Sequence, residues 1–367
     1  MLTTQAAVLR EAGPDKWWAI EEVALDEPKA GEVLVRFEAS GLCHSDDHIR
    51  AGDTPARLPM VGGHEGAGVV ERVGPGVTRV AEGDHIVCSF IPVCGKCRYC
   101  STGRQNLCDA GLNAGTGKLP DGTFRFHSGV EDLGGMCVLG TFSEYAVLSE
   151  TSCVPYEPDV APEVAALVGC GVTTGWGSAV YAAGVRAGQT VVIFGIGGVG
   201  INAVQGAQYA GAKNVIAIDP VPFKLEMAAK LGATHTFTDP AQAREVLVEE
   251  TRGQLADHVI LTVGVMTSEV VRAGADMAGK DGQITITGVG KYDLPGALMT
   301  LYQRKFHGAL FGGANPLYDI PRLLDLYRAG QLKLDELITH RYRLGEVNDG
   351  YRDMLAGKNI RGVIGHG

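Results

Sequence analysis

The chain has 367 residues, a formal net charge of −10, 45% hydrophobic and 20% charged residues, 52 glycines and nine cysteines. That length is enough for about two domains, each with a core of its own. The ordinary apolar content excludes a disordered chain, and the acidic balance argues against a nucleic-acid binder, which needs a basic face. Glycine is abundant but has no triplet period, so collagen is excluded and many tight backbone positions are implied. Residues 1–10 carry no basic region followed by an apolar core, so no secretory signal is expected and a cytoplasmic location is.

The first 150 residues read as short strands, such as 33–37 and 86–90, separated by Gly and Pro turns; this half is expected to be mostly β and irregular. Within it, Cys43-His44-Ser45-Asp46-Asp47-His48 is followed about twenty residues later by Gly62-Gly63-His64-Glu65-Gly66. Next come Cys94, Cys97, Cys100 and Cys108, spaced C-x2-C-x2-C-x7-C. Without an export signal, such a cluster points to a metal rather than to disulfides. Four thiolates suit the tetrahedral preference of zinc, and a closed four-sulfur site is structural, because no position is left for substrate. An iron–sulfur cluster is the rival, but its bacterial run continues with a three-residue spacing and a proline. Residues 110–135 are glycine-rich and read as a long surface loop.

Two stretches, 164–185 and 189–212, are free of charge and long enough to raise the question of membrane spans. Both are crowded with glycine and broken by Thr, Ser, Asn and Gln, and the second reads as a buried strand, a turn and a helix, so a soluble protein is expected. Cys170 lies in the first, within Gly169-Cys170-Gly171-Val172-Thr173-Thr174-Gly175. A catalytic zinc takes three protein ligands, and Cys2His is one known set. Spacing alone does not assemble Cys43, His64 and Cys170.

In the second stretch, a β-branched run at 190–194 leads into Gly195-Ile196-Gly197-Gly198-Val199-Gly200. A helix is expected at about 201–210 and a strand at 214–218, ending at Asp219. Strand, G-x-G-x-x-G, helix, strand and terminal acid within about thirty residues is the fingerprint of a dinucleotide site. The first glycine makes the turn, the second admits the pyrophosphate, the third lets helix pack on strand, and the helix N-terminus offers free N–H groups. Asp219 would bond the adenosine ribose and repel a 2′-phosphate, which favours NAD over NADP. Further helices at 222–231, 241–251 and 269–277 alternate with strands at 234–237, 258–263 and 283–287. That alternation is expected to form a doubly wound parallel sheet.

Taken together, Gly62–Gly66, the four-cysteine run, Gly169–Gly175 and Gly195–Gly200 resemble the zinc-dependent medium-chain alcohol dehydrogenases over essentially the whole chain. The resemblance implies an α/β fold: a GroES-like, mostly-β catalytic domain from residues 1–171 and 313–367, and an NAD-binding Rossmann domain from 172–312. It implies two zinc ions, one held by Cys43, His64 and Cys170 and one by Cys94, Cys97, Cys100 and Cys108. Asp46 would orient His64, and Glu65 would sit behind the metal. Ser45 and His48 match the family's proton relay, and an imidazole suits proton release near neutral pH. Thr174 and Val199 match positions beside the nicotinamide, Asp219 and Lys224 those at the ribose, Arg361 a pyrophosphate contact and Phe90 a substrate-pocket aromatic. His44 stands where many members carry a pyrophosphate-binding arginine, so a permanent charge becomes a titrating one.

The runs 91–109, 175–181 and 311–316 resemble more narrowly an actinobacterial branch assayed with nitrosodimethylaniline, in which NAD stays bound and is reoxidised in place by an external acceptor. The implied reaction is oxidation of an alcohol to an aldehyde or ketone by hydride transfer to NAD. The sister class, glutathione-dependent formaldehyde dehydrogenase, is the alternative; it needs a basic pocket for a carboxylate, for which Lys118 and Arg125 are the nearby candidates. A non-catalytic NAD-binding relative is the other reading, at odds with the full set of zinc and relay residues. The run 301–311 resembles the strand through which members pair, so a homodimer or higher homo-oligomer is expected. No nucleic-acid or membrane partner is.

Overall fold

The computed structural model describes residues 2–367 and divides into two compact units, Met1–Cys170 with Asn315–Gly367, and Gly171–Ala314.

In the first unit, five strands close into a barrel in the order Leu2–Leu9, Ala19–Leu25, Phe126–Ser128, Glu131–Gly135 and Met60–Val61. Closure removes the open edges that so short a sheet would otherwise present. A seven-stranded sheet lies in the same unit and is centred on Glu32–Gly41, which pairs with Glu65–Val73, Tyr145–Ser149 and the last strand, Arg361–Gly365. Alternating Val33, Val35 and Phe37 are buried in a core shared with Ile86, Val147 and Leu148.

Residues 110–135 are not the surface loop that their glycine content suggests. They include the hairpin Phe126–Ser128/Glu131–Gly135, which completes the barrel, and Leu119, Phe126 and Leu133 are core residues. Strands of three and five residues are too short to show alternation, and their glycines read as punctuation. Arg125, just before the hairpin, is buried. Its Nε donates to Glu32 Oε2 at 2.8 Å and its Nη2 to both Glu32 Oε1 at 2.5 Å and Asp121 Oδ2 at 2.7 Å.

The second unit carries six parallel strands in the order His235–Phe237, Asn214–Ile218, Thr190–Phe194, Ala256–Leu261, Ala278–Ile286 and Lys305–Gly308. This is the doubly wound order, whose direction of winding reverses beside Thr190–Phe194. The strand expected at 283–287 begins earlier, at Ala278, and ends at Ile286.

One helical run, Pro162–Ala183, is long and apolar enough to cross a membrane by length and composition; 89% of its most apolar window is buried within the protein. It is interrupted by π-helical turns at Val168–Val172 and Ser178–Ala183. Such turns recur at functional sites, because one extra residue per turn re-aims a side chain. Cys170 sits in the first.

The half-buried imidazole of His366 lies just beyond the last strand. His366 Nε2 lies 2.9 Å from Ser40 Oγ, and burial pushes the ring down to about 4, from an ordinary value of about 6.5. Between those two values an unfolded chain takes up a proton that the folded chain refuses. Stability therefore falls as the pH drops from 6.5 towards 4, by about 3 kcal/mol in all. A denaturant titration at pH 7 and pH 4.5 should show His366→Leu losing less stability over that interval than the wild type.

Candidate active site

Cys43, His64 and Cys170 come from three elements. Cys43 precedes the helix His44–Ala51 as its N-cap residue. Asp46 and Asp47 occupy the first turn of that helix, His48 and Arg50 its last, and Gly52 closes it in the left-handed conformation. These charges complement the helix dipole. Arg50 is buried, with Nε 2.7 Å from Asp47 Oδ1 and Nη1 donating to the Lys16 carbonyl at 2.7 Å, so the helix is clamped at its base. His64 stands just before the strand Glu65–Val73, and Cys170 on the π turn.

One ligand atom from each of Cys43, His64, Glu65 and Cys170 falls within 4.8 Å of the others. His64 Nδ1 lies 3.1 Å from Asp46 Oδ2, while Gly63 N–H donates to Asp46 Oδ1 at 3.0 Å. The carboxylate so placed turns the other ring nitrogen, Nε2, to the thiols. The Cys43 thiol is held well below its ordinary range, first by a hydrogen bond with Cys170 and then by His64. Cys170 is pushed up by the same bond and by burial. Burial opposes charge on His64, but the Asp46 carboxylate and the Cys43 thiolate outweigh it and hold the ring well above its ordinary value.

Glu65 is fully buried, and burial raises its carboxyl to about 7 against the pull of Arg361, whose Nη2 it binds in a short ion pair. The same Nη2 donates to the Leu42 carbonyl at 3.1 Å. A side chain at Gly41 would collide with both Glu65 and Arg361, which is why that position carries none. Two thiols, a carboxylate-backed imidazole and a buried carboxylate form a dense anionic donor set that a divalent cation neutralises. The Cys2His composition is one that zinc takes in catalytic sites.

Of the other expected residues, Ser45 Oγ lies 3.7 Å from Cys43 Sγ. His48 is buried, its Nδ1 3.2 Å from Asp53 Oδ2 and its ring 4.9 Å from that of His44. His44 is half-buried, with Nε2 3.9 Å from Asp47 Oδ2. Phe90 meets the His64 ring edge-to-face at 5.8 Å. Sequence reasoning did not find Asp53, or Tyr351, whose fully buried hydroxyl lies 3.4 Å from the Cys43 carbonyl. A tyrosine 308 residues from its partner leaves no local sequence signal.

Cys94, Cys97, Cys100 and Cys108 converge as well, with no disulfide among them. Cys94 and Cys100 sulfurs are 4.0 Å apart, and those of Cys97 and Cys108 3.9 Å. A regular tetrahedron with Zn–S bonds of about 2.3 Å has edges of about 3.8 Å, so the four fit one zinc ion. Backbone N–H groups of Cys97 and Cys100 point at the Cys94 and Cys97 sulfurs at 3.3 and 3.5 Å. Donors of this kind stabilise thiolate: Cys97 is drawn down to about 6, chiefly by the Cys100 N–H.

In the second unit, Gly195 has φ +84° and closes the turn out of Thr190–Phe194. A Cβ on Gly197 would meet nothing within 4 Å, whereas one on Gly200 would lie 1.8 Å from the Gly195 carbonyl oxygen. The second glycine thus leaves an open cradle and the third a close approach, as a pyrophosphate loop requires. Gly198 and Val199 lead into the helix Gly200–Tyr209, whose N-terminus has no side-chain cap and turns the positive end of its dipole to the loop. Asp219 accepts from Ile196 N–H at 2.7 Å and Val221 N–H at 2.9 Å, which ties the acid to the loop. Lys224 stands half-buried on the helix Pro222–Lys230. The Thr174 hydroxyl is buried with no hydrogen-bond partner among the described residues, an orphan that a bound cofactor would satisfy.

Fold and donor sets together define a zinc-dependent dehydrogenase that uses a nicotinamide nucleotide. Residues 29–158 match the alcohol dehydrogenase GroES-like domain, and residues 198–329 the zinc-binding dehydrogenase family. The chain is 57% identical over 370 residues to the NDMA-dependent alcohol dehydrogenase of Amycolatopsis methanolica, covering 100% of this chain and 99% of that one. It is 38% identical to an S-(hydroxymethyl)glutathione dehydrogenase of Synechocystis, covering 99% of this chain and 100% of the relative. Among solved structures, an alcohol dehydrogenase zinc-binding domain protein from Burkholderia ambifaria superimposes with a TM-score of 0.91 at 32% identity, over 99% of both chains. The chain belongs to the zinc-dependent medium-chain alcohol dehydrogenases. It is an oxidoreductase acting on the CH–OH group of alcohols, with zinc and NAD as its cofactors.

The four-thiol site leads to a direct expectation. Cys97→Ser should lower zinc from about two to about one ion per chain by elemental analysis, and lower the melting temperature, because a closed zinc site contributes folding energy to its lobe.

Proposed function

We propose that Cys43, His64 and Cys170 hold the catalytic zinc, that Cys94, Cys97, Cys100 and Cys108 hold the structural one, and that NAD occupies the Gly195–Gly200 loop. The convergence of the Cys43, His64 and Cys170 ligand atoms, within 4.8 Å, carries this reading. When bound, the zinc supplies a Lewis acid that stabilises negative charge on the substrate oxygen, and NAD supplies the hydride acceptor.

The protein's own groups do the rest. Asp46 holds His64 in the tautomer that offers Nε2 to the metal, and Glu65 with Arg361 closes the site from behind. Ser45 Oγ, beside Cys43, takes the proton of the alcohol hydroxyl and passes it on towards His48, which Asp53 orients at Nδ1. Phe90, packed on His64, walls the site with an apolar ring that excludes water and suits a carbon chain. Thr174 and Val199 line the nicotinamide, Gly195, Gly197, Gly198 and Gly200 the pyrophosphate, and Asp219 and Lys224 the adenosine ribose. His44 and Arg361 add charge for the phosphates; Arg361 Nη2 is bound to Glu65 and Leu42.

We further propose that NAD stays bound through turnover and is reoxidised by an external acceptor; the relative named for its NDMA dependence supports this. The glutathione alternative loses its anchor, because Arg125 is buried against Glu32 and Asp121. Lys118 lies over the Phe124 ring. The exposed side of Lys305–Gly308, the last strand of its sheet, with exposed Leu301 and Leu310 near it in sequence, is proposed as the homodimer contact. The site of action is proposed to be the cytoplasm.

Cys43→Ala should lose alcohol-dependent turnover and one zinc ion per chain, while a variant with both zinc ions and wild-type rate would remove Cys43 from the ligand set. For the cofactor, the purified protein is dialysed exhaustively and denatured, and the released NAD(H) counted. About one per chain supports retention, and about none makes this an ordinary exchanging dehydrogenase.

A further inference from the structure

Behind His64 and Glu65 lies a short chain of buried polar groups that ends on the penultimate residue. The strand Arg361–Gly365 runs antiparallel to Glu32–Gly41, with Ile364 opposite Ser40. Two residues further, His366 N–H donates to the Glu38 carbonyl at 3.1 Å, which carries the imidazole back to Ser40. Its Nε2 lies 2.9 Å from Ser40 Oγ. Ser40 Oγ in turn donates to the Thr141 carbonyl at 2.6 Å. A hydroxyl has one proton; with that proton directed at Thr141, the imidazole is assigned as the donor at Nε2 and Ser40 as the acceptor. The direction of the whole chain is thereby set.

Thr141 passes it to the metal-binding segment. Its backbone N–H donates to the Gly63 carbonyl at 3.0 Å, and its hydroxyl donates to the Glu65 carbonyl at 2.9 Å. These two acceptors are the residues on either side of His64, so one threonine grips both flanks of the histidine. Contact is close: a Cβ on Gly63 would lie 2.5 Å from the Thr141 hydroxyl oxygen. Ser40 and Thr141 are fully buried, and His366 is half-buried above them. The Phe37 ring, 6.2 Å away, packs the imidazole in place.

We infer that His366 is a positioning residue for the catalytic centre: by donating to Ser40 it holds Thr141 against the peptide groups flanking His64 and so fixes where that ligand stands. An apolar side chain would fill the same space. With Nε2–H removed the serine oxygen loses its incoming bond, and the Ser40–Thr141 hydrogen bond loses the polarisation that an incoming donor gives it. The inference rests on the proposed role of His64 as a zinc ligand.

The test uses the purified zinc-loaded enzyme and four variants: His366→Leu, His366→Gln, Ser40→Ala and His64→Ala. Zinc release to a chromogenic chelator is followed alongside kcat and KM for an alcohol. His366→Leu and Ser40→Ala should speed release of one of the two zinc ions roughly tenfold, the size of effect seen when groups that hold a metal's ligands are removed. They should lower kcat severalfold with KM nearly unchanged, and leave the other zinc ion as slow as in the wild type. His366→Gln, whose amide N–H can still donate, should restore most of both. If release and kcat of His366→Leu stay within about twofold of wild type, the inference fails. If that variant does not fold, Ser40→Ala decides by the same criteria. His64→Ala separates the two levels: retention of both zinc ions there overturns the ligand assignment itself. Loss of one, with His366→Leu unaltered, overturns only the positioning role.

Discussion

The short ion pair between Glu65 and Arg361 joins two residues 296 positions apart and holds the first unit's metal-binding side together. Both side chains are almost wholly buried, and neither charge could be left there alone, since stranding one partner of such a pair costs about 3–5 kcal/mol. The pair therefore obliges the last strand to dock on Glu32–Gly41 beside Glu65, with Leu42, the neighbour of Cys43, bound to the same guanidinium. The missing side chain at Gly41 is a condition of that docking. The candidate ligand atoms of Cys43 and His64 lie next in sequence to Leu42 and Glu65, the two residues that Arg361 binds.

Charge explains why the ligand residues sit where they do. Cys43, Cys170, Asp46 and Glu65 are acids or potential acids packed around His64 and Arg361, and burial raises the cost of each negative charge. The directions of the shifts follow: Cys43 goes down because Cys170 and His64 serve it with hydrogen bonds, and Glu65 goes up because burial outweighs Arg361. A divalent cation at this point relieves several of these penalties at once. The four-cysteine lobe solves the same problem differently, on a partly exposed site where backbone N–H groups supply the positive ends of dipoles.

The barrel closes on a segment whose sequence conceals it. Residues 110–135 carry turn glycines throughout, yet Phe126–Ser128 and Glu131–Gly135 complete the five-stranded ring, and Arg125 is spent on Glu32 and Asp121. The same burial bears on chemistry, because an arginine fully engaged inside the barrel base is not offered to an anionic substrate.

The sequence by itself determined those features whose physics is local. The four-cysteine spacing, the run from Thr190 through Gly195–Gly200 to Asp219, and the alternation of helices and strands after it are legible because their causes lie within a few residues. Metal-ligand spacing, glycine turns and hydrophobic period are of this kind, and the strands Thr190–Phe194 and Asn214–Ile218 lie where the pattern puts them. Cys43, His64 and Cys170 stand out by their neighbours but are joined into one ligand set only by resemblance, because no local rule joins residues so far apart. Only the tertiary structure decided that their ligand atoms meet, that Arg361 is bound to Glu65, and that Asp53, Tyr351, Thr141 and His366 stand behind them. Those contacts are made by burial and by the pairing of distant strands, forces that act on the folded surface and leave no periodic mark along the chain.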